Sequence, residues 1–145
     1  MKRGPILVPV DFEEGSIRAL EVAGELASAL GEEVVIVHVH ALPIYTYPGL
    51  DPAAIPPLLT EVTDAARRAL EEFAARQGID RAVLREGEVA TEILSAASDL
   101  GARMIVMATH GRGGIAHALL GSVTERVLRR AAVPVVTVRG PAKKR

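Results

Sequence analysis

The sequence contains no cysteine, no asparagine, and no lysine between Lys2 and Lys143. The missing cysteines exclude disulfides, thiolate metal sites and a cysteine nucleophile. The missing internal lysines exclude a phosphate-loop lysine and a Schiff-base lysine in the body of the chain. Its chemistry must therefore depend on arginine, histidine, carboxylates, hydroxyls and backbone groups.

Extremes of charge and hydropathy are also absent. The formal net charge is -1, which argues against broad electrostatic capture of nucleic acid. No run approaches the ~18 apolar residues that a membrane-spanning helix needs. The charged start of the chain leads directly into a short apolar run, which is not typical of a signal peptide. We therefore expect a cytoplasmic protein with one domain over residues 1–145, a flexible basic tail at 140–145, and no nucleic-acid or membrane partner.

Short apolar runs alternate with amphipathic stretches along the chain. The runs predict strands at residues 6–10, 34–39, 82–85, 104–108 and 133–138. The stretches between them predict helices at residues 20–30, 55–73, 91–100 and 122–131, with a loop at 41–54. Three of these helices stop at a glycine, namely Gly31, Gly78 and Gly101.

This alternation predicts an α/β fold with a single five-stranded parallel sheet covered by helices on both faces. Right-handed crossovers make the sheet doubly wound and Rossmann-like. We expect the strand order 3-2-1-4-5, in which the winding changes direction between strands 1 and 4. Ligands of such sheets bind at the carboxyl ends of the strands beside that switch. Residues 11–15 and 109–122 are therefore the predicted borders of a ligand site.

The second of these segments is rich in glycine and leads into a helix. Backbone amides can converge on an anion where no Cβ obstructs them, and a helix N-terminus adds free N–H groups and a favourable dipole. Ser122 and Glu125, however, also fit a capping box, in which side chains satisfy the helix's own amides. These residues leave phosphate binding and structural capping both open. The candidate phosphate contacts are the glycines at 111, 113, 114 and 121, the amides and hydroxyls of residues 122–124, and Arg112.

Over its whole length the chain resembles the universal stress protein family, from Ile-Leu-Val-Pro-Val-Asp at residues 6–11 to the last strand. Nucleotide-binding members carry a glycine, two residues, a glycine, nine residues, a glycine, and then serine or threonine. The chain matches this pattern at Gly111, Gly121 and Ser122, and departs from it at Ala108, which replaces the first glycine. The resemblance implies a homodimeric stress-response module that binds ATP, with or without Mg²⁺.

The resemblance also implies a role for individual positions. The turn after strand 1 and the end of strand 2 would contact the adenosine. The end of strand 4 would contact the ribose, and the glycine-rich segment would contact the phosphates. The implied nucleotide contacts are Pro9, Val10, Asp11, Val39, Met107, Ala108, His110, Gly111, Arg112, Gly121, Ser122, Val123 and Thr124.

Some polar residues allow a second interpretation. Asp11 fits either a ribose or Mg²⁺ contact or a turn or cap residue that opens the first helix, and its place beside the switch favours the ligand. His38 and His40 share one face of a strand, but without a third ligand we expect core or strand-end histidines. His110 and His117 are better candidates for ligand contact. A basic face of the last helix is expected to be solvated or salt-bridged: Arg126, Arg129 and Arg130.

Two rival functions stay open. A nucleotidyl transferase or ATP-cleaving ligase on a related fold would usually carry a His-x-Gly-His or Ser-Gly-Gly signature, and neither occurs. A protein-interaction subunit that binds no nucleotide is compatible with Ala108. Without an internal lysine or a clear general base, we expect at most a weak ATPase. The apolar last strand is predicted at the sheet edge, where it would pair with a second copy in a homodimer.

Overall fold

The computed structural model of the chain describes residues 2–41, 48–110 and 120–140. In these residues strands and helices alternate, with a short 3-10 turn at Pro52–Ala54 before the second helix. The strands are β1 (Ile6–Pro9), β2 (Val34–His40), β3 (Arg81–Glu86), β4 (Met104–Ala108) and β5 (Val135–Val138). The helices are α1 (Glu14–Leu30), α2 (Ile55–Gln77), α3 (Val89–Asp99) and α4 (Ser122–Arg130).

The five strands form one all-parallel sheet in the order β3-β2-β1-β4-β5, which confirms the predicted fold and strand order. The predicted strand limits shift by one or two residues. The last strand begins at Val135 rather than at residue 133, because Pro134 has no amide hydrogen with which to join the ladder. β5 lies at one edge of the sheet, as expected.

Helices cover the sheet on both faces and create two separate cores. Ile6 and Val8 of β1 pack with α1 and α2, whereas Leu7 packs on the opposite face with α3 and α4. All three side chains are fully buried. Because each such burial contributes about 1.5–3 kcal/mol, the central strands form the most stable part of the molecule. They provide a rigid base for the carboxyl edge of the sheet.

Glycines end the first two helices as predicted. Gly31 and Gly78 adopt left-handed conformations, with φ of 65° and 66°. Gly101, with φ of 61°, follows the last residues of α3. None of the helices in the described ranges is long and apolar enough to cross a membrane. Gly111, Arg112, His117 and residues 141–145 of the predicted tail lie outside the described residues.

Candidate functional site

We call the carboxyl edge of the sheet between β1 and β4 the switch crevice. It is bordered by residues 10–12 after β1, by Thr109 and His110 after β4, and by the start of α4 at residues 121–124. The chain leaves β1 toward β2 on one side and reaches β4 and β5 on the other, so the winding reverses here. This is the position at which open α/β sheets bind ligands.

Val10, the first residue after β1, is hydrogen-bonded to β2 at the border of the switch crevice. Its amide donates to the Val37 carbonyl at 2.9 Å, and its carbonyl lies 2.8 Å from Nδ1 of His38. Because a carbonyl can only accept, His38 carries its hydrogen on Nδ1. The Val10 side chain is only 6% exposed. Both backbone groups of Val10 are therefore hydrogen-bonded within the fold, and a packing contact between Val10 and a nucleoside stays a prediction.

Asp11 organises the turn that leads into α1, whose N-cap residue is Glu13. Its Oδ1 accepts from the Glu13 amide at 3.0 Å and from the Ser16 hydroxyl at 2.7 Å, and its own amide donates to that hydroxyl oxygen at 2.9 Å. The Ser16 side chain is buried. The structure thus shows Asp11 as a turn residue before α1, part of the alternative that the sequence made less favoured, and a ligand contact through Asp11 stays a prediction.

No structural or binding role was predicted for the next residue, Phe12. It adopts a left-handed backbone conformation with φ of 67°, which costs a non-glycine residue of order 1–3 kcal/mol. Its ring stacks on His38, with centroids 4.4 Å apart, and packs against Phe73 at 5.3 Å. These contacts hold the strained turn in place. No local sequence pattern signals this, because both partners come from other elements.

The end of β4 is bonded directly to the start of α4. The Thr124 hydroxyl donates to the Ala108 carbonyl at 2.9 Å, and the Gly121 amide donates to the Thr109 carbonyl at 2.6 Å. Thr109 in turn donates its amide to Val138 of β5 at 2.9 Å. These bonds bring both ends of the glycine-rich segment to the same place beside the sheet.

The N-terminus of α4 is not closed by a side chain from the described residues. Its N-cap is Gly121, with φ of -70° and ψ of 159°, and the first helical residue is Ser122. The predicted capping box is therefore wrong. Ser122 already lies inside the helix, and Glu125 pairs with Arg129 at 2.7 Å instead of reaching back.

Three amides precede the first intrahelical bond of α4, which runs from Glu125 to the Gly121 carbonyl at 3.0 Å. They belong to Ser122, Val123 and Thr124. Ser122 is exposed and its hydroxyl can face a ligand. The Thr124 side chain is only 2% exposed and its hydroxyl hydrogen is bound to Ala108, which leaves only its amide for a ligand.

Other predicted contacts present backbone rather than side chain. Val39 lies two residues beyond Val37, whose carbonyl faces β1. The peptide groups of Val39 therefore point to the same edge of β2. At that level β1 has already ended, since its last residue is Pro9, the partner of Val37. Met107 is 4% exposed and packs in the core under α3 and α4. His110 follows Thr109, whose hydroxyl lies 3.2 Å from the His110 Nδ1.

His38 and His40 are strand-end and core residues, as the sequence favoured. His40 is buried, and its Nε2 lies 4.0 Å from a carboxylate oxygen of Glu86. Across the described residues no three histidine, cysteine or acidic side chains form a group that could hold a metal ion.

The basic face of α4 is paired, as predicted. Arg126 binds Glu88 at 3.0 Å, and Arg130 donates to the Thr91 hydroxyl at 3.2 Å. Glu88 also caps α3 by accepting from the Thr91 amide at 2.7 Å. Hydrogen bonds from the Thr91 side chain and amide lower the pKa of Glu88 to about 2. This cap was missed in the sequence, although Glu88 stands three residues before Thr91 at the start of a predicted helix.

Comparison with known proteins agrees with this geometry. The model of the family described as "Universal stress protein family" matches residues 2–139. The chain belongs to the universal stress protein family. It is 32% identical over 143 residues to the universal stress protein MJ0531 of Methanocaldococcus jannaschii. The aligned region covers 95% of this chain and 83% of that protein. It is 31% identical over 144 residues to YxiE of Bacillus subtilis, covering 92% and 97% of the two chains.

A longer relative, Rv2005c of Mycobacterium tuberculosis, is 34% identical over 140 residues, but this chain spans only 46% of its length. Among solved structures, hypothetical protein MJ0577 superposes with a TM-score of 0.80 at 27% identity, covering 95% and 96% of the two chains. A family member from Burkholderia pseudomallei has a TM-score of 0.64 at 29% identity, covering 93% and 95%. A universal stress protein solved in complex with cAMP, at 23% identity and a TM-score of 0.62, shows the shared fold.

Proposed function

We propose that this universal stress protein binds ATP in the switch crevice and acts as a regulatory or stress-response module with slow or no hydrolysis. The observation that carries the proposal is the open N-terminus of α4. It offers three amides, a glycine N-cap and the positive end of a helix dipole beside the reversal of the sheet.

The three amides supply most, but not all, of the free energy that micromolar binding requires. Charge-assisted hydrogen bonds contribute about 1.5–3 kcal/mol each, so three amides supply about 5–9 kcal/mol before ordering costs. A micromolar dissociation constant requires about 8 kcal/mol. The adenosine must therefore offset the cost of ordering the ligand.

In the proposed arrangement the adenosine lies against the turn after β1 and the open edge of β2, and the ribose lies beside the end of β4. The phosphates meet the start of α4 and the glycine-rich segment. We expect Mg²⁺ to be held chiefly by phosphate oxygens, because Oδ1 of Asp11 is already used by Glu13 and Ser16. The assigned residues are Pro9, Val10, Asp11, Val39, Met107 and Ala108 for the nucleoside, and His110, Gly111, Arg112, Gly121, Ser122, Val123 and Thr124 for the phosphates.

The test is titration calorimetry with ATP on the wild type and on two variants of Ser122. Ser122→Pro removes one amide at the first helical position, where proline is well tolerated, and the extended Gly121 suits a following proline. We expect its ATP affinity to fall roughly 10-fold or more, as the loss of one charge-assisted bond predicts. Ser122→Ala keeps the amide and loses only the hydroxyl, so it should weaken binding much less.

Purification followed by mass spectrometry for co-bound nucleotide provides an independent measurement. AMP, GTP and cAMP serve as comparison ligands, since they differ in phosphate or base. No detectable ATP binding by the wild type, or equal affinity for the wild type and Ser122→Pro, would contradict the proposal. Multiple-turnover release of phosphate would favour the enzyme alternative.

We also propose a homodimer that forms through β5. The Pro134 carbonyl accepts from Ile105 of β4 at 3.0 Å, and the Val138 carbonyl accepts from Thr109, directly after β4, at 2.9 Å. The alternate residues Val135 and Thr137 therefore direct their peptide groups to the outer edge. Thr137 is exposed. Thr137→Pro removes an outer amide and leaves the ladder to β4 intact. Light scattering should show a dimer for the wild type and a monomer for Thr137→Pro; a wild-type monomer at high concentration would contradict this proposal.

A further inference from the structure

The methyl group of Ala108 is the point at which this chain departs from the nucleotide-binding pattern, and the structure shows where that methyl lies. Side chains alternate along β4. Met104 and Val106 pack in the core under α1, while Ile105 and Met107 pack in the core under α3 and α4. Ala108 therefore directs its methyl toward α1.

The residue that faces this methyl is Gly15, in the first turn of α1. A Cβ added at Gly15 would lie 3.1 Å from the Ala108 Cβ and 3.4 Å from the His110 carbonyl oxygen. Contacts this short require a neighbour to move by a few tenths of an ångström. The two residues therefore share a space that holds one methyl and not two.

A Cβ added at Gly140 would lie 3.8 Å from the Gly15 Cα, which is an ordinary van der Waals contact and imposes no restriction. The other glycine of the same helix is not restricted either. A Cβ added at Gly24 would meet nothing within 4 Å. The tight contact is thus specific to the turn of α1 that lies against the end of β4.

We propose that Gly15 is a positioning residue of the nucleotide site, because its missing side chain provides the room that the Ala108 methyl occupies. The methyl can then stay on the α1 side of β4. The Ala108 carbonyl keeps its bond to Thr124, and His110 keeps its place at the start of the glycine-rich segment. This inference rests on the proposed ATP binding, and it explains how a chain with alanine at position 108 retains the site.

The test is a double-mutant cycle on the full chain with Gly15→Ala, Ala108→Gly and the combined variant. ATP affinity is measured by calorimetry, well below the unfolding temperature of each protein. Gly15→Ala should weaken ATP binding about three- to tenfold, within the range of coupling between residues in contact. The combined variant should return to within about twofold of the wild type, because the second change removes the conflicting methyl. Gly24→Ala is the matched control and should leave ATP affinity unchanged.

Urea unfolding of the same proteins without nucleotide separates the possible failures. If Gly15→Ala binds ATP as the wild type does, or if Ala108→Gly does not rescue it, the positioning role is overturned while the proposed function stands. If the wild type binds no ATP, both are overturned. In that event, if the two substitutions are coupled in the free energy of unfolding, Gly15 and Ala108 form only a packing contact with no role in binding.

Discussion

Two helices begin beside the switch crevice, and the side chains around their N-termini differ in charge. Before α1, Asp11 and the buried hydroxyl of Ser16 form a ring of hydrogen bonds, and the exposed Glu13 and Glu14 add negative charge. At α4, the N-cap is a glycine and the first helical residue is an uncharged serine. In the described residues neither N-cap makes a side-chain capping bond, so the two helix ends differ in the charge that surrounds them.

The difference shows how a fold can direct an anion to one of two neighbouring helix ends. Both dipoles favour negative charge at their N-termini. Near α1, the carboxylates of Asp11, Glu13 and Glu14 repel a phosphate. Gly121 and Ser122 carry no charge, so the amides of the first turn of α4 are the stronger attraction. We therefore expect phosphates at α4 and only uncharged parts of a ligand near α1.

The largest expected contrast comes from removing one amide at each helix end. Glu14 is the first residue of α1, as Ser122 is of α4, and Glu13 before it is extended with φ of -86° and ψ of 171°. Glu14→Pro should therefore fold and bind ATP with nearly wild-type affinity, whereas Ser122→Pro should lose roughly 10-fold or more. Calorimetry on both variants checks this. A similar loss in the two would mean that the helix ends do not differ as we describe.

A smaller effect is expected from disrupting the turn before α1. Asp11→Ala removes the acceptor for the Glu13 amide and the Ser16 hydroxyl, and the loss of these hydrogen bonds should lower the free energy of unfolding by about 1–2 kcal/mol. Asp11→Asn keeps an oxygen at Oδ1 and should cost less than half as much. Urea denaturation measures both. Equal stability of Asp11→Ala and the wild type would show that this ring of hydrogen bonds does not stabilise the turn before α1.

The smallest effect is expected at α3, whose terminus is closed by an exposed carboxylate. The pKa of Glu88 falls from 4.5 to about 2 on folding, so its stabilising effect is complete above pH 4.5 and is lost as the pH drops toward 2. Glu88→Gln should be less stable than the wild type at pH 7, and the difference should shrink below pH 4.5. Unfolding curves at several pH values test this, and a difference that grows toward pH 2 would contradict it.

Most of the fold was predictable because its signals are local. Apolar runs, helical spacing and glycine stops each lie within a few residues of the element they define, and parallel crossovers limit the strand orders that fit. The site was less predictable. The Ser122–Glu125 pattern is a good capping box in isolation, but α4 begins where Gly121 and Thr124 bind the end of β4. That start depends on contacts between distant parts of the chain.

Other features of the site show the same limit. Asp11 was correctly placed beside the switch, but its partner Ser16 could be identified only once the turn was built. Phe12 and Gly15 depend on His38, Phe73 and Ala108, which no spacing rule connects to them. Sequence patterns thus locate the crevice, while the packing around it decides which groups remain available.

The bond between Thr109 and Gly121 tethers the two described ends of the glycine-rich segment to each other beside the sheet. Because the two ends are already held together, doubling the number of residues between them costs only about 0.6 kcal/mol of closure entropy. Substitutions, deletions or additions between the tethers can therefore accumulate without disturbing the sheet. A lineage could in this way change what the domain senses while inheriting the same scaffold.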